Sequence, residues 1–591
     1  MDQGDAGRWG IHGSIQRGAA ATGLLCDIVW QRKEFLMPAL FRFVLLSLLT
    51  LIPAWAHAAD PTTDRIDKIF AAWDKPDTPG AALAVVRDGK IFYSRGYGLA
   101  NLEHAARNTP ATVFHAASVS KQFTAFAIQL LAQDGKLSLD DEVRKHVPEL
   151  QLPGPAITIR HLLHHTSGLR DQWSLLMLAG LRLDDVITEG DILGLLWQQR
   201  QLNFRAGEED LYSNSGYTLL GLIVKRVSGQ SLAAFAKDRI FDPLGMKDTQ
   251  FQERYGGLVR GRAASYRRRG EAWETVALSY SNVGATSLLT TVEDLARWST
   301  NLGSGQVGGA AVNAAMRKRG RLNSGRTINY ASGMVIGQYR GLAMAEHSGS
   351  DAGYRAHLLH FDQPQVGVLV LGNAASLNAS ELARRVADVV LEGTPGLEPA
   401  RSHPPEMELQ ASDLSSWLGD YEMRPGFVLS FTRDGNRLAV QATGQPKFPM
   451  FASADNSFFT KAFEAAVTFD KPARYGAPAT SATWRQNGRE LPLRRITPEV
   501  PDSPSLQACT GDFYSSELRT LYQLQLQAGK LMVRYPRGVL ELRPVDREVF
   551  NAGFPLGTLH MQRSSTGACD GFAVNTGRVR NLQFVRVSLP Q

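Results

Sequence analysis

The sequence is poor in cysteine, with three in 591 residues, at Cys26, Cys509 and Cys569. A fold stapled by many disulfides is therefore excluded. Its histidines are scattered and show no metal-ligand spacing, so no metal site is indicated. No glycine-rich loop opens a helix after a strand, so no nucleotide cofactor is implied and none of any kind is expected. The formal charge is only +7 and no long Lys/Arg run occurs, which argues against a nucleic-acid partner. Long apolar runs are also missing. The best candidate, Phe43 to Ile52, is short for a membrane span and is stopped by Pro53.

That stretch instead has the marks of a secretory signal. Arg42 precedes it, and Ala56-His57-Ala58 follows as a cleavage pattern. Residues 37–58 are expected to be a signal peptide cut after Ala58. The mature chain would be exported to the periplasm, with no stable membrane insertion. Residues 1–36 carry no sustained pattern; Met37 is expected to be the true start and 1–36 an over-extended reading frame. Of the cysteines, only Cys509 and Cys569 would then meet an oxidising compartment. They are expected to form a disulfide that closes a long loop in the last domain.

Beyond the signal, Arg65 to Trp73 reads as a helix. Gly80–Val86 and Lys90–Tyr97 read as strands joined by Asp88-Gly89, a strong hairpin turn. A mostly helical region follows to about residue 310. Strand patterns return at 333–339, 343–347, 355–361 and 367–371, and a helix closes the region at 379–391. Strands at both ends with helices between them imply one sheet built from both ends of a domain and covered by helices, over residues 59–394. Prolines at 395, 399, 404 and 405 mark a linker, placed at 395–404. Two β-rich segments follow, 405–500 and 501–591, and they resemble each other. One opens Leu418-Gly419-Asp420-Tyr421, the other Thr510-Gly511-Asp512-Phe513, and each closes with a Gly turn and a final strand. Such a repeat of about 90 residues suggests two small antiparallel barrels.

Three short motifs carry chemistry. In His115-Ala116-Ala117-Ser118-Val119-Ser120-Lys121, Ser118 sits at the start of an apolar-faced helix, and Lys121 lies one turn later on the same side. A serine hydroxyl needs a base beside it, and a buried, neutral lysine is one. The helix start also offers free N–H groups to a developing oxyanion. By itself such a four-residue pattern is more often a helix cap with a solvated lysine. However, Lys121 is the only lysine in the chain with a serine three positions before it. The second motif is Tyr212-Ser213-Asn214, on a turn-rich loop before a packed helix. The same triplet recurs at Tyr280-Ser281-Asn282, so the sequence alone is a weak signal. The third is His347-Ser348-Gly349-Ser350 at a strand end, where glycine allows a close approach. Alone, that too has mostly structural readings.

Together, in this order within one domain, they resemble Ser-x-x-Lys, Tyr-x-Asn and Lys/His-x-Gly, the signatures of the serine β-lactamase and penicillin-binding-protein superfamily. Residues 157–169, 240–246 and 290–298 resemble its class C-like branch, which also holds carboxylesterases and D-aminopeptidases. The resemblance covers about residues 65–390. It implies an α/β (α+β) β-lactamase/transpeptidase-like domain, followed here by two lipocalin-like barrels. It implies Ser118 as nucleophile, Lys121 as base and Tyr212 as proton relay. Asn214 would orient substrate, and the N–H groups of Ser118 and Ser350, beside Gly349, would form an oxyanion hole. His347 stands where β-lactamases carry a lysine that holds a substrate carboxylate. A neutral histidine there argues for uncharged ester or amide substrates. The expected activity is an acyl-serine hydrolase of D-amino-acid peptides, peptidoglycan fragments or small esters. The alternatives are a penicillin-binding or sensor protein with little turnover, or a β-lactamase.

Overall fold

The computed structural model describes residues 61–588, apart from 153, 400–402, 425–426, 444–446, 462, 475, 487–488 and 497–498. The expected extension and signal peptide lie outside the described residues.

A first helix, α1 (Pro61–Phe70), leads into the hairpin β1 (Ala81–Arg87) and β2 (Lys90–Tyr97). Both turn residues have positive φ, 51° at Asp88 and 73° at Gly89, the backbone that matches the twist of a two-residue hairpin. The chain returns to this sheet with β3 (Val335–Tyr339), β4 (Leu342–Asp351), β5 (Tyr354–Phe361) and β6 (Val366–Gly372). The order is β3-β4-β5-β6-β1-β2 and every pairing is antiparallel. Strand β4 runs further than the sequence pattern suggested, through the whole of His347-Ser348-Gly349-Ser350.

The sheet is apolar on both faces because both are covered. Along β1, Ala81, Leu83 and Val85 join a core with α1 and the closing helix at Ala379–Val390. Ala82, Ala84 and Val86 join a second core on the opposite face. That core is built by α2 (Ser120–Gln133), α3 (Gln172–Ala179), α4 (Asn214–Ser228) and α5 (Val292–Ser304). The period of two along a strand thus divides one apolar run between two layers.

Two β domains follow. Eight antiparallel strands from Gly419–Arg424 to Arg489–Arg495 form a closed barrel. Nine strands from Gly511–Ser515 to Leu582–Val587 form an antiparallel sheet that curls without a hydrogen-bonded seam between its two edge strands. The internal repeat has a physical basis. Gly419 and Gly511 have φ of 135° and 137°. A Cβ there would meet the guanidinium of Arg495 at 2.8 Å or of Arg586 at 2.4 Å. Each arginine comes from its domain's last strand and lies over the aromatic ring two residues on, Tyr421 or Phe513. Cys509 and Cys569 are joined, with Cα atoms 4.9 Å apart, the pairing expected of the two cysteines that follow the signal-like segment.

The second β domain shares its hydrophobic core with the helical face of the first domain. The Tyr522 hydroxyl donates to the Leu178 carbonyl at 2.7 Å, and Pro536 packs where a side chain at Gly180 would sit. Arg170 pairs with Glu517 at 2.7 Å, their side chains 0% and 5% exposed. Its other donors meet Gln199 Oε1 and the carbonyls of Arg580 and Asn581. Removing one partner of such a pair strands the other charge in a dry interior, at a cost of about 3–5 kcal/mol. Arg170→Met is therefore expected to lower the urea midpoint markedly and to expose the 576–581 loop to proteolysis. A shift of the size seen for surface substitutions would show that the pair does not hold the domains together.

Candidate active site

The backbone reaches Ser118 through a strained turn. Ala117, just before it, has φ 47°, a left-handed conformation that costs an L-residue about 1–2 kcal/mol. The Ala117 N–H donates to His115 Nδ1 at 3.1 Å, which holds the turn in place. Burial keeps that imidazole neutral, its pKa down at about 3. Ser118 then lies in a single 3-10 turn, Ala117–Val119, and α2 begins at Ser120. Ser120 is no rival nucleophile, because its hydroxyl donates to the Ala117 carbonyl and accepts from the Leu288 N–H.

Ser118 is partly exposed, whereas Lys121 is sealed, with 0% exposure. The Lys121 amine lies 3.0 Å from Ser118 Oγ, 2.8 Å from Asn214 Oδ1 and 2.7 Å from the Ala285 carbonyl. Burial drives its pKa down. The carboxylates of Asp351 and Asp171 oppose that shift, and the nearby Arg578 guanidinium adds to it. Asp351 moves the opposite way, raised by its own burial.

Asn214 is held in one orientation by Asp171. The Asn214 N–H and side-chain amide donate to Asp171 Oδ2 at 2.8 and 2.7 Å, which turns Asn214 Oδ1 toward Lys121. Asp171 is also the N-cap of α3, accepting from the Trp173 and Ser174 N–H groups. Burial raises the Tyr212 phenol pKa, and the neighbouring Ser118 hydroxyl opposes that shift. The Lys121 amine is 4.9 Å from the centre of the Tyr212 ring. His165 packs against that ring, centroids 4.2 Å apart, while its Nδ1 accepts from the Ser213 N–H at 3.2 Å. The rival triplet has other partners: Tyr280 stacks on Trp173, and Asn282 Oδ1 accepts from Thr218.

Gly349 lies where β4 crosses the start of the serine turn. A Cβ there would stand 2.3 Å from the Ala116 carbonyl and 3.1 Å from the Ser118 nitrogen. Ser350, next along, is exposed on the strand. The structure therefore brings Ser118, Lys121, Tyr212, Asn214 and Gly349 together.

The beta-lactamase family model matches residues 66–391. The chain belongs to the beta-lactamase family. Penicillin-binding protein 4* of Bacillus subtilis (strain 168) is 29% identical over 416 residues, covering 67% of this chain and 91% of that protein. D-aminopeptidase of Gluconobacter oxydans (strain 621H) is 27% identical over 327 residues, covering 55% and 61%. The octameric penicillin-binding protein homologue from Pyrococcus abyssi shares the fold, with a TM-score of 0.52 at 22% identity over 81% of this chain and 99% of that one. Family membership makes this chain a serine hydrolase of the β-lactamase and penicillin-binding-protein type.

Within this beta-lactamase-family site, His347 is neutral and structural. Its ring is buried and fully engaged. Nδ1 donates to the Ser348 carbonyl at 2.7 Å, which fixes the tautomer, so Nε2 accepts from the Tyr330 hydroxyl at 2.9 Å. Burial and the Lys121 charge hold its pKa at about 3, well below the ordinary value of about 6.5. His347 thus holds the wall of the site and stays neutral. Sequence reasoning missed Asp171, Ala285, Tyr330 and Arg578. Asp171 was legible as a helix cap before the apolar run Trp173–Leu178, but not as the anchor of Asn214.

Gly349→Ala is expected to destabilise the protein by about 1–3 kcal/mol, because the clash is with backbone. Thermal unfolding measures it; an unchanged Tm would show that β4 has room to move away from the serine turn.

Proposed function

We propose that this protein hydrolyses amides or esters through an acyl-enzyme on Ser118, with D-amino-acid peptides, peptidoglycan fragments and small esters as the substrate classes. The observation that carries this reading is the environment of Lys121. A neutral amine has two N–H bonds and one lone pair. Asn214 Oδ1 and the Ala285 carbonyl only accept, so they take the two N–H bonds and leave the lone pair facing Ser118 Oγ.

The steps follow from that geometry. Ser118 gives its proton to Lys121 as its oxygen attacks the carbonyl carbon. The oxyanion is stabilised by the N–H of Ser118 and by that of Ser350 on the adjoining strand. Tyr212, a neutral phenol beside Ser118, relays a proton to the leaving group, and the proton is returned through Lys121. Water then attacks the acyl-serine by the same route in reverse. Asn214 contributes by steering both lysine and substrate. Export to the periplasm belongs to the same proposal, supported by the Cys509–Cys569 bond and the signal-like segment at 37–58.

Ser118→Ala is expected to abolish labelling by a fluorophosphonate probe and to lower ester turnover by several orders of magnitude. Labelling that persists in this variant would rule out Ser118. Persistent acylation by a fluorescent penicillin, with no turnover of p-nitrophenyl acetate, would instead indicate a binding or sensor protein.

The pH dependence has a fixed sign. Protonated Lys121 has no lone pair, so acylation rises with pH as the lysine loses its proton. Because burial lowers that pKa, the rise should be complete well before the ordinary lysine value of about 10.4 is reached. A profile still climbing through pH 10 would remove Lys121 as the base.

A further inference from the structure

The loop before the last strand, residues 576–581, reaches from the second β domain to Tyr212 in the active site. It is bolted in place. The Arg578 carbonyl accepts from the Asp171 N–H at 3.3 Å and the Asn203 amide at 3.0 Å, and the Arg580 N–H donates to Asn203 Oδ1 at 2.8 Å. Arg580 grips Glu209 with both terminal nitrogens, at 3.0 and 3.1 Å. The buried Arg170 holds the Arg580 and Asn581 carbonyls from below.

From this loop the Arg578 guanidinium lies over the Tyr212 ring, 4.9 Å from its centre. Among the described residues no carboxylate pairs with it, since the acidic side chains nearby are taken. Glu209 holds Arg580, Glu517 holds Arg170, Asp210 holds Arg326, and Asp171 holds Asn214. A cation–π contact does not spend the guanidinium's N–H donors, and none of them meets an acceptor among the described residues. Arg578 is exposed, so those donors are open to a ligand. Arg355, which pairs with Ser350 across the strands, is no substitute, because its Nη1 is turned back onto the carbonyls of Ala352 and Tyr354.

We propose that Arg578 is the specificity-determining cation of this enzyme, binding a carboxylate carried by the leaving group of the substrate. It would fill, from another domain, the role that the neutral His347 does not fill on β4. The side of the scissile bond follows from Tyr212, since the phenol assigned to the leaving group is the ring on which Arg578 stacks. This rests on the acyl-serine reading of Ser118, and it revises the preference for uncharged substrates drawn from His347 alone.

The test compares benzoylglycyl-thioglycolate, a thioester with a carboxylate on its leaving group, with its methyl ester. In otherwise wild-type protein the acid should have the higher kcat/KM. Arg578→Ala should lower the acid-to-ester ratio by about ten- to a hundredfold, the worth of a charge-assisted pair. Arg578→Lys should recover part of the ratio. Arg578→Met, which restores apolar packing on Tyr212 without charge, should recover none. A ratio unmoved by Arg578→Ala, or restored by Arg578→Met, overturns the proposal. The same pair titrated calorimetrically into Ser118→Ala protein, with and without Arg578→Ala, reads the preference with no chemistry involved. If the acid is not preferred there in the presence of Arg578, the proposal fails. Fluorophosphonate labelling of the wild type separately decides whether Ser118 is the nucleophile.

Discussion

The site depends on one amine being kept dry. Lys121 is surrounded by acceptors that are themselves immobile: a backbone carbonyl at Ala285 and an amide oxygen at Asn214 that Asp171 has oriented. An exposed lysine would be protonated and free to rotate, with no lone pair for the serine. Burial lowers the pKa, and the two fixed acceptors direct what the lost proton leaves behind. Much of the surrounding structure serves this arrangement. The cap of α3, the start of α4 and the segment carrying Ala285 converge on one nitrogen.

The reactive turn is assembled at some cost. Ala117 is held in a left-handed conformation by a neutral histidine, and β4 crosses so closely that residue 349 has no room for a side chain. Such features persist where surrounding contacts over-determine them, as the two-sided packing of the sheet does here. Their effect is to hold Ser118 at the surface while Lys121, three residues later, is sealed beneath it.

The second β domain is part of this centre. Its core is continuous with that of the catalytic domain, and its 576–581 loop places a cation above the tyrosine beside the serine. The first barrel keeps a core of its own. The two repeats share the same Gly-Asp-aromatic opening and the same arginine clamp, yet among the described residues only the second reaches the site. The neutral His347 belongs to the same division of labour: β4 supplies shape, and the positive charge over the reactive centre comes from elsewhere in the chain.

The sequence by itself determined the local features. Alternation and turn residues located the sheet strands, the Gly-Asp-aromatic repeat marked two β domains, and spacing singled out Ser118 and Lys121. These signals are readable because strand period, hairpin turns and the i to i+3 neighbourhood of a helix act within a few residues. Tertiary structure decided the rest. It separated Tyr212 from its duplicate at Tyr280, since both triplets are identical as words and differ only in what surrounds them. It made His347 a buried, neutral strut in the wall of the site, because burial is a property of neighbours distant in the chain. It brought Arg578 to a tyrosine 366 positions earlier, a proximity set by how two hydrophobic faces and one buried ion pair dock. No period or spacing within either segment records that contact.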